Sequence, residues 1–299
     1  MYWRAVLRST RPPFLILAPI CVLLGASALY AQGHQPVFLS LLLALLGGIS
    51  AHISVNTFNE YFDFRSGLDL LTRKTPFSGG SGSLPETPSA STQVLWAAIV
   101  SLLSALVIGL YFAFQVGTAI LPIGITGLLL VFFYTQWINR YPLLCLIAPG
   151  IGFGIVMVVG THIALGGAHT LTTWVVAAVP FMLINNLLLL NQYPDIAADQ
   201  RVGRNHFPIA YGIERSNTVY LTSLLLVSLL VVASIHVGLL PLSAFLALLP
   251  MPLGVFAWYG ARRHGQQIAE HPRFLAANVM LTLSSPALLA IGLALKGSP

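Results

Sequence analysis

The chain has 299 residues, of which 57% are apolar and only 7% charged, with a formal net charge of +6. Soluble domains carry about 25% charged residues, so this composition excludes one. It also lacks the short alternating segments of a spanning barrel, and it has no Lys/Arg block or aromatic-basic interleaving to suggest nucleic acid.

Apolar runs of about 20 residues recur, the length that crosses about 30 Å of hydrocarbon. They predict an all-α, polytopic membrane protein, a single domain over 1–299 with about nine transmembrane helices. The spans fall at 14–32, 37–58, 93–114, 118–137, 143–165, 171–192, 217–236, 242–260 and 275–295. The first follows Arg4, Arg8 and Arg11 as a signal peptide would, but it is long enough to span and shows no small-residue cleavage site. Thirteen of the 14 Lys and Arg residues fall on one side of this arrangement, and only Lys296 falls on the other. The positive-inside rule makes the populated side cytoplasmic, with the N-terminus in and, for an odd count, the C-terminus out. An integral cell (inner) membrane location follows. All eight acidic residues lie on the same side. The two long connections, after spans two and six, are also there; loops of such length usually carry function or are disordered.

Each long connection opens on acids. The first holds Asn59-Glu60-Tyr61-Phe62-Asp63 and Asp69; the second holds Asn191-Gln192-Tyr193-Pro194-Asp195 and Asp199. Five of the eight acids are in these two clusters. A carboxylate costs roughly 2.5–3.5 kcal/mol at a membrane helix centre, so such a chain does not gather them idly. Residues four apart share a helix face, which aligns Asn59 with Asp63. Asn191, Asp195 and Asp199 form a stripe over two turns if the helix survives Pro194. Gly67 invites a break near Ser66-Gly67 that lets the chain fold Asp69 back.

Asn59, Asp63, Asp69, Asp195 and Asp199 are hard oxygen donors suited to Mg2+, which is held by a few carboxylates, waters and substrate phosphates. Arg65, Arg73, Lys74, Arg201 and Arg204 lie nearby, and acids mixed with bases suit a metal-bound diphosphate better than a free cation. Glu60 either assists the metal or pairs with an arginine. The competing readings are solvated loop charges and a cation transporter, whose site would sit nearer the bilayer midplane. His52, two turns before Asn59, reads as a satisfied core histidine, and His162 and His169 read as surface residues on the far side. Cys21 and Cys145 read as packing residues. Gly79 to Gly82 reads as a flexible lid, since no P-loop Lys-Ser follows.

The two motifs, NTFNEYFDFRSGLD at 56–69 and NQYPDIAADQRVGRNHFPIAYG at 191–212, resemble those of the UbiA superfamily of intramembrane prenyltransferases. They are most similar to the 1,4-dihydroxy-2-naphthoate branch of menaquinone biosynthesis. Arg11-Pro12-Pro13-Phe14, Tyr134-Thr135 and Gly203-Arg204 add to the likeness. Glu60, Asn205-His206-Phe207, the Pro76 to Gly82 loop and Pro149-Gly150 depart from the family pattern, which leaves the acceptor open. The resemblance implies helices around a central cavity, with both motifs at its cytoplasmic mouth under a cap made by the long loops. It implies Mg2+-dependent prenyl transfer from a polyprenyl diphosphate to an aromatic acceptor within the lipid bilayer. The acceptor is then 1,4-dihydroxy-2-naphthoate or a related ring; the alternatives are another aromatic, a tetrapyrrole or a lipid alcohol as acceptor, or a non-enzymatic membrane lipid or ion transport protein. On this reading Asp63, Asp69, Asp195 and Asp199 ligate Mg2+, with Asn59 and Asn191 ligating or orienting. Lys74, Arg73, Arg140 and Arg204 contact the diphosphate. Asp63, Asp195, Lys74 and Arg204 carry the catalysis. Tyr134 touches diphosphate or acceptor, or is an interface-belt tyrosine. The CDP-alcohol phosphotransferases, another aspartate-using membrane class, need an Asp-Gly and Ala-Arg signature that does not occur here.

Overall fold

The structure is a computed structural model and describes residues 2–72, 74–75 and 77–296; Arg73 and Pro76 of the predicted site and loop lie outside the described residues. All regular structure among the described residues is helical. Seven helices are long and apolar enough to cross a membrane: Phe38–Arg65, Pro88–Val116, Pro142–Ala164, Leu171–Asn191, Phe207–His236, Leu242–Glu270 and Pro272–Lys296. An eighth is the pair Tyr2–Leu15 and Leu17–Tyr30, bent by 41°. The bend falls at Ile16; within the first member, Arg11 precedes a proline, which disfavours the right-handed helical region, and it sits at φ 53° between Tyr2–Ser9 and Pro12–Leu15.

The expected count of nine is therefore met only in part. The segment predicted at 118–137 is the apolar helix Thr118–Phe133. At 1.5 Å per residue it reaches about 24 Å, short of the about 30 Å of hydrocarbon.

Leu171–Asn191 is the central pillar, with 72% of its apolar window buried against 11% for Pro88–Val116. Glycines let Pro142–Ala164 approach it. A Cβ at Gly150 would lie 2.4 Å from the Phe181 carbonyl, and one at Gly154 would lie 2.7 Å from that of Ala177. Pro149 sits inside this helix, which widens into π geometry over Ile151–Val159. The Asn185 side-chain oxygen accepts from the Gly150 N–H at 2.6 Å, so a neighbouring helix supplies an acceptor beside the widened turn.

Polar side chains cross-link the bundle where lipid offers no alternative partner. The Asn186 amide donates to the Tyr220 carbonyl at 2.9 Å, and the Tyr220 hydroxyl donates to Asn278 at 2.8 Å. This ties Leu171–Asn191, Phe207–His236 and Pro272–Lys296 together. Ser54 donates to the Ala98 carbonyl at 2.8 Å and fixes Phe38–Arg65 on Ser91–Val116. Between these groups of helices lies a cavity of about 480 Å³, whose apolar walls include Val22, Ala44, Phe112, Ile123 and Val156.

Candidate active site

Both acidic clusters reach the same cavity. Asn59, Asp63, Asp69, Asn191, Asp195 and Asp199 line it, together with Tyr134 and Arg204. The first cluster is built as expected. The helix runs through Asp63 to Arg65, Gly67 turns left-handed at φ 78°, and a short turn Leu68–Leu70 carries Asp69 back toward the helix end. The second cluster is not the straight stripe expected. The helix ends at Asn191, and a turn through Pro194 delivers Asp195. Asp199 stands on a new helix, Ile196–Arg201. Pro194 lacks an N–H to continue the ladder, so the two-turn stripe becomes three separately aimed oxygen donors.

Arg204 binds the two clusters together. Its guanidinium pairs with Asp63 of the first motif and with Asp199 of the second, the latter at 3.0 Å. Burial works against the Arg204 charge, yet the negative charges of Asp63 and Asp199 hold its pKa above the ordinary value. His206 Nε2 meets the other Asp199 oxygen at 2.9 Å. Asp195 accepts from the Gly79 N–H at 3.2 Å, which brings the glycine-rich connection to the mouth. Burial, reinforced by Asp63 and Glu60, pushes the Asp69 carboxyl up to about 8. Burial and the neighbouring Asp199 push Asp195 up to about 7.

Glu60 is fully buried and points to the N-terminal segment and the glycine-rich connection. Arg11 donates to it through Nε at 2.9 Å and Nη2 at 2.7 Å, and also to Asn59 at 3.0 Å. The Ser81 N–H reaches Glu60 at 2.7 Å. Of the two roles the sequence allows Glu60, the arginine pair is the one formed.

The cations divide. Arg204 lines the cavity, as does Arg11, which sequence reasoning noted only as part of a similar opening segment. Lys74 and Arg140 are exposed and do not line it, and Arg65 and Arg201 are likewise exposed. His206, Asn56, Asn139 and Ser78 also line the cavity; the sequence marked His206 and the loop of Ser78 only as departures from the family pattern, and Asn56 and Asn139 as no candidates at all. Arg11 carried a usable signal, since it is a cation just ahead of Pro12-Pro13, where the first helix stops and a short one begins.

Among the described residues, no three His, Cys, Asp or Glu side chains converge into a ready metal cage. Three buried cavity-lining oxygens have no hydrogen-bond partner: Asp69 Oδ2 in the first cluster, Asn191 Oδ1 in the second, and Asn139 Oδ1. Buried polar atoms are ordinarily paired, so each cluster keeps one hard donor free. This donor set fits a divalent cation shared with a substrate phosphate rather than one enclosed by protein alone.

Comparison with known proteins agrees with this arrangement. The chain is 27% identical over 263 residues to the 1,4-dihydroxy-2-naphthoate octaprenyltransferase of Bacillus subtilis, covering 84% of this chain and 80% of that protein. It is 23% identical over 311 residues to the enzyme of the same name from Haemophilus influenzae, covering 98% and 95%. A UbiA homolog from Aeropyrum pernix K1 shares the fold with a TM-score of 0.71 at 16% identity, covering 95% of this chain and 98% of that one. A UbiA homolog from Archaeoglobus fulgidus bound to DMAPP and Mg2+ gives 0.62 at 14% identity, covering 96% and 99%. The UbiA prenyltransferase family matches residues 18–279, a stretch that includes both acidic clusters and Arg204. This integral membrane protein therefore belongs to the UbiA prenyltransferase family and is a prenyltransferase.

Proposed function

We propose that the protein transfers a prenyl group from a polyprenyl diphosphate to an aromatic acceptor, with Mg2+, and that the acceptor is 1,4-dihydroxy-2-naphthoate or a related ring. One observation carries the reading: a single cavity of about 480 Å³ is lined by four carboxylates and Arg204 and, for the rest, mainly by apolar walls. A diphosphate with a hydrocarbon tail has the same two-part chemistry. The choice of acceptor is supported by the names of the two sequence relatives.

Asp63, Asp69, Asp195 and Asp199 would hold the metal, with Asn59 and Asn191 ligating or orienting. When bound, Mg2+ offsets the diphosphate charge and makes it a better leaving group. Arg204 lies between the two clusters, so a diphosphate bound there meets its guanidinium, whose planar fork suits phosphate oxygens. Arg11 adds a second cation on the same wall. Lys74 and Arg140 serve outside the cavity, where they draw the anionic donor toward the mouth. Tyr134, on the cavity wall, contacts the substrates at the boundary between polar and apolar parts. Residues 77–82 and the N-terminal segment, joined through Glu60, form a cap that limits water access.

In the transfer itself, the allylic C–O bond breaks and its electron pair leaves with the diphosphate. The apolar walls keep water from the allylic cation. A π pair of the electron-rich ring forms the new C–C bond, and the ring then loses a proton or its carboxyl group as CO2 to regain aromaticity. Fixed charges at the mouth supply most of the stabilisation, because they act on charge that develops as the bond breaks. The mouth and N-terminus face the cytoplasm, in keeping with thirteen of 14 Lys and Arg residues on that side.

The test is turnover by the purified protein in Mg2+ with a panel of prenyl diphosphates and aromatic acceptors, read by mass spectrometry. Asp63→Ala and Asp195→Ala should each abolish product while the protein stays folded in detergent. Full turnover by both variants, or no donor binding in Mg2+, overturns the assignment.

A further inference from the structure

One face of Phe38–Arg65 lines the cavity over its whole depth. From the mouth inward, Asp63, Asn59, Asn56, His52, Gly48 and Ala44 all border it. The gradation is chemical: a carboxylate, two amides, an imidazole, then small residues that leave open space. His52 is the anomaly in this series. It is only 5% exposed, and its Nδ1 has no hydrogen-bond partner. Its ring meets Phe153 edge-on at 4.9 Å, a contact that any aromatic ring could make. The satisfied core histidine expected from the sequence is thus not what the fold contains. A packing role alone would be served better by an apolar side chain, because a buried unpaired polar atom is costly.

Depth decides which substrate the imidazole can serve. His52 lies seven residues from Asn59 and eleven from Asp63, which is about 10 Å and about 16 Å along the helix. The diphosphate belongs with the acids and Arg204 at the mouth. The prenyl tail is hydrocarbon and offers an imidazole nothing to bond. The only other reactant is the acceptor, whose hydroxyl groups flank the reacting ring on two sides, so one can turn inward while the reacting carbon faces the mouth.

We propose that His52 is an acceptor-binding residue: its imidazole hydrogen-bonds a hydroxyl or carboxyl group of the aromatic acceptor within the cavity and so selects oxygenated rings. This rests on the prenyl-transfer reading above and adds the residue that recognises the second substrate. The Phe153 edge contact fixes the ring plane, and the small residues Gly48 and Ala44 beyond it leave room for the tail to pass.

The experiment measures steady-state kinetics of the full chain in nanodiscs, with a dihydroxylated naphthoate and its deoxy analogue as paired acceptors. His52→Phe keeps a ring of similar size and removes the hydrogen bond, His52→Leu serves the same purpose should the former misfold, and His52→Gln restores a hydrogen-bonding group. The expected result for His52→Phe is an acceptor KM raised about tenfold, the loss typical of one hydrogen bond to a bound group. Donor KM and the thermal shift caused by donor with Mg2+ stay unchanged, the preference for the hydroxylated ring collapses, and His52→Gln recovers part of it. Unchanged acceptor KM and preference in the variants overturns the proposal, as does a changed donor KM or tail-length preference with acceptor KM intact. A wild-type protein that prenylates both rings equally well also overturns it. A wild-type protein that prenylates no aromatic ring instead overturns the acceptor reading on which the proposal rests.

Discussion

The two acidic clusters look alike as sequence but are built differently. The first keeps its helix through Asp63 and returns Asp69 by a left-handed turn at Gly67; the second loses its helix at Asn191 and restarts it after Pro194. In each, one carboxylate is committed to Arg204 and one oxygen, Asp69 Oδ2 or Asn191 Oδ1, is left without a partner. The first cluster has an extra acid, Glu60, which is turned to Arg11 and Ser81. Residue type and spacing identify a cluster, but the partner each carboxylate finds decides whether it serves the substrate or the scaffold.

The sharpest way to break this comparison is to neutralise, on each side, one acid that Arg204 does not hold. Asp69→Asn and Asp195→Asn should each lower kcat by about 10²–10³-fold, as expected for loss of a charge-stabilising group, and should weaken Mg2+ in a metal titration. Near-normal turnover by either variant would mean that the clusters do not share the load. Glu60→Ala tests the division of roles. Removing one partner of a buried ion pair costs about 3–5 kcal/mol, and the part-exposed Arg11 puts this pair at the low end of that range. The expected outcome is a lower melting temperature and faster proteolysis near residues 77–82, with Mg2+ affinity less affected. A Glu60→Ala protein that melts normally but binds no metal would place Glu60 among the ligands.

Gly80→Ala should have a smaller effect. Gly80 sits at φ +72°, and a Cβ there would come within 3.1 Å of Asp69 Oδ1 and 3.3 Å of Glu60 Oε1. Strain of about 1–3 kcal/mol is expected, visible as a modest loss of stability and a raised Mg2+ requirement. The smallest effects belong to Lys74→Ala and Arg140→Ala. Both residues are exposed outside the cavity, so kcat/KM should fall only about twofold at low salt and recover as salt screens the field. A salt-independent collapse of kcat in either variant would show that the side chain reaches the diphosphate directly.

Much of the fold was legible because a bilayer allows few solutions. Backbone groups in hydrocarbon must bond within their own helix, so apolar length predicts spans with little help from tertiary context. Thr118–Phe133 is shorter than the span drawn from hydropathy, because hydropathy counts residues and does not see where the helix stops. The break at Ser66-Gly67 was legible from glycine. The break at Pro194 was legible as a possibility only, since proline either kinks a helix or ends it according to what packs nearby. Arg11 escaped notice as a site residue because its partners, Asn59 and Glu60, are 48 and 49 residues away. His206 escaped because its link to Asp199 depends on the turn at Gly203, which spacing alone does not specify.

By itself the sequence determined the class of the protein, the grouping of charge at one end of the helices and the residue types of the two acidic clusters. These follow from local costs: burying charge, spanning hydrocarbon and breaking a helix each leave a mark within a few residues. Only the tertiary structure decided which carboxylates are held, which oxygens stay free, which cations reach the cavity and where His52 lies along it. Those outcomes depend on side chains brought together from distant parts of the chain, whose pairing is settled by packing and burial rather than by spacing.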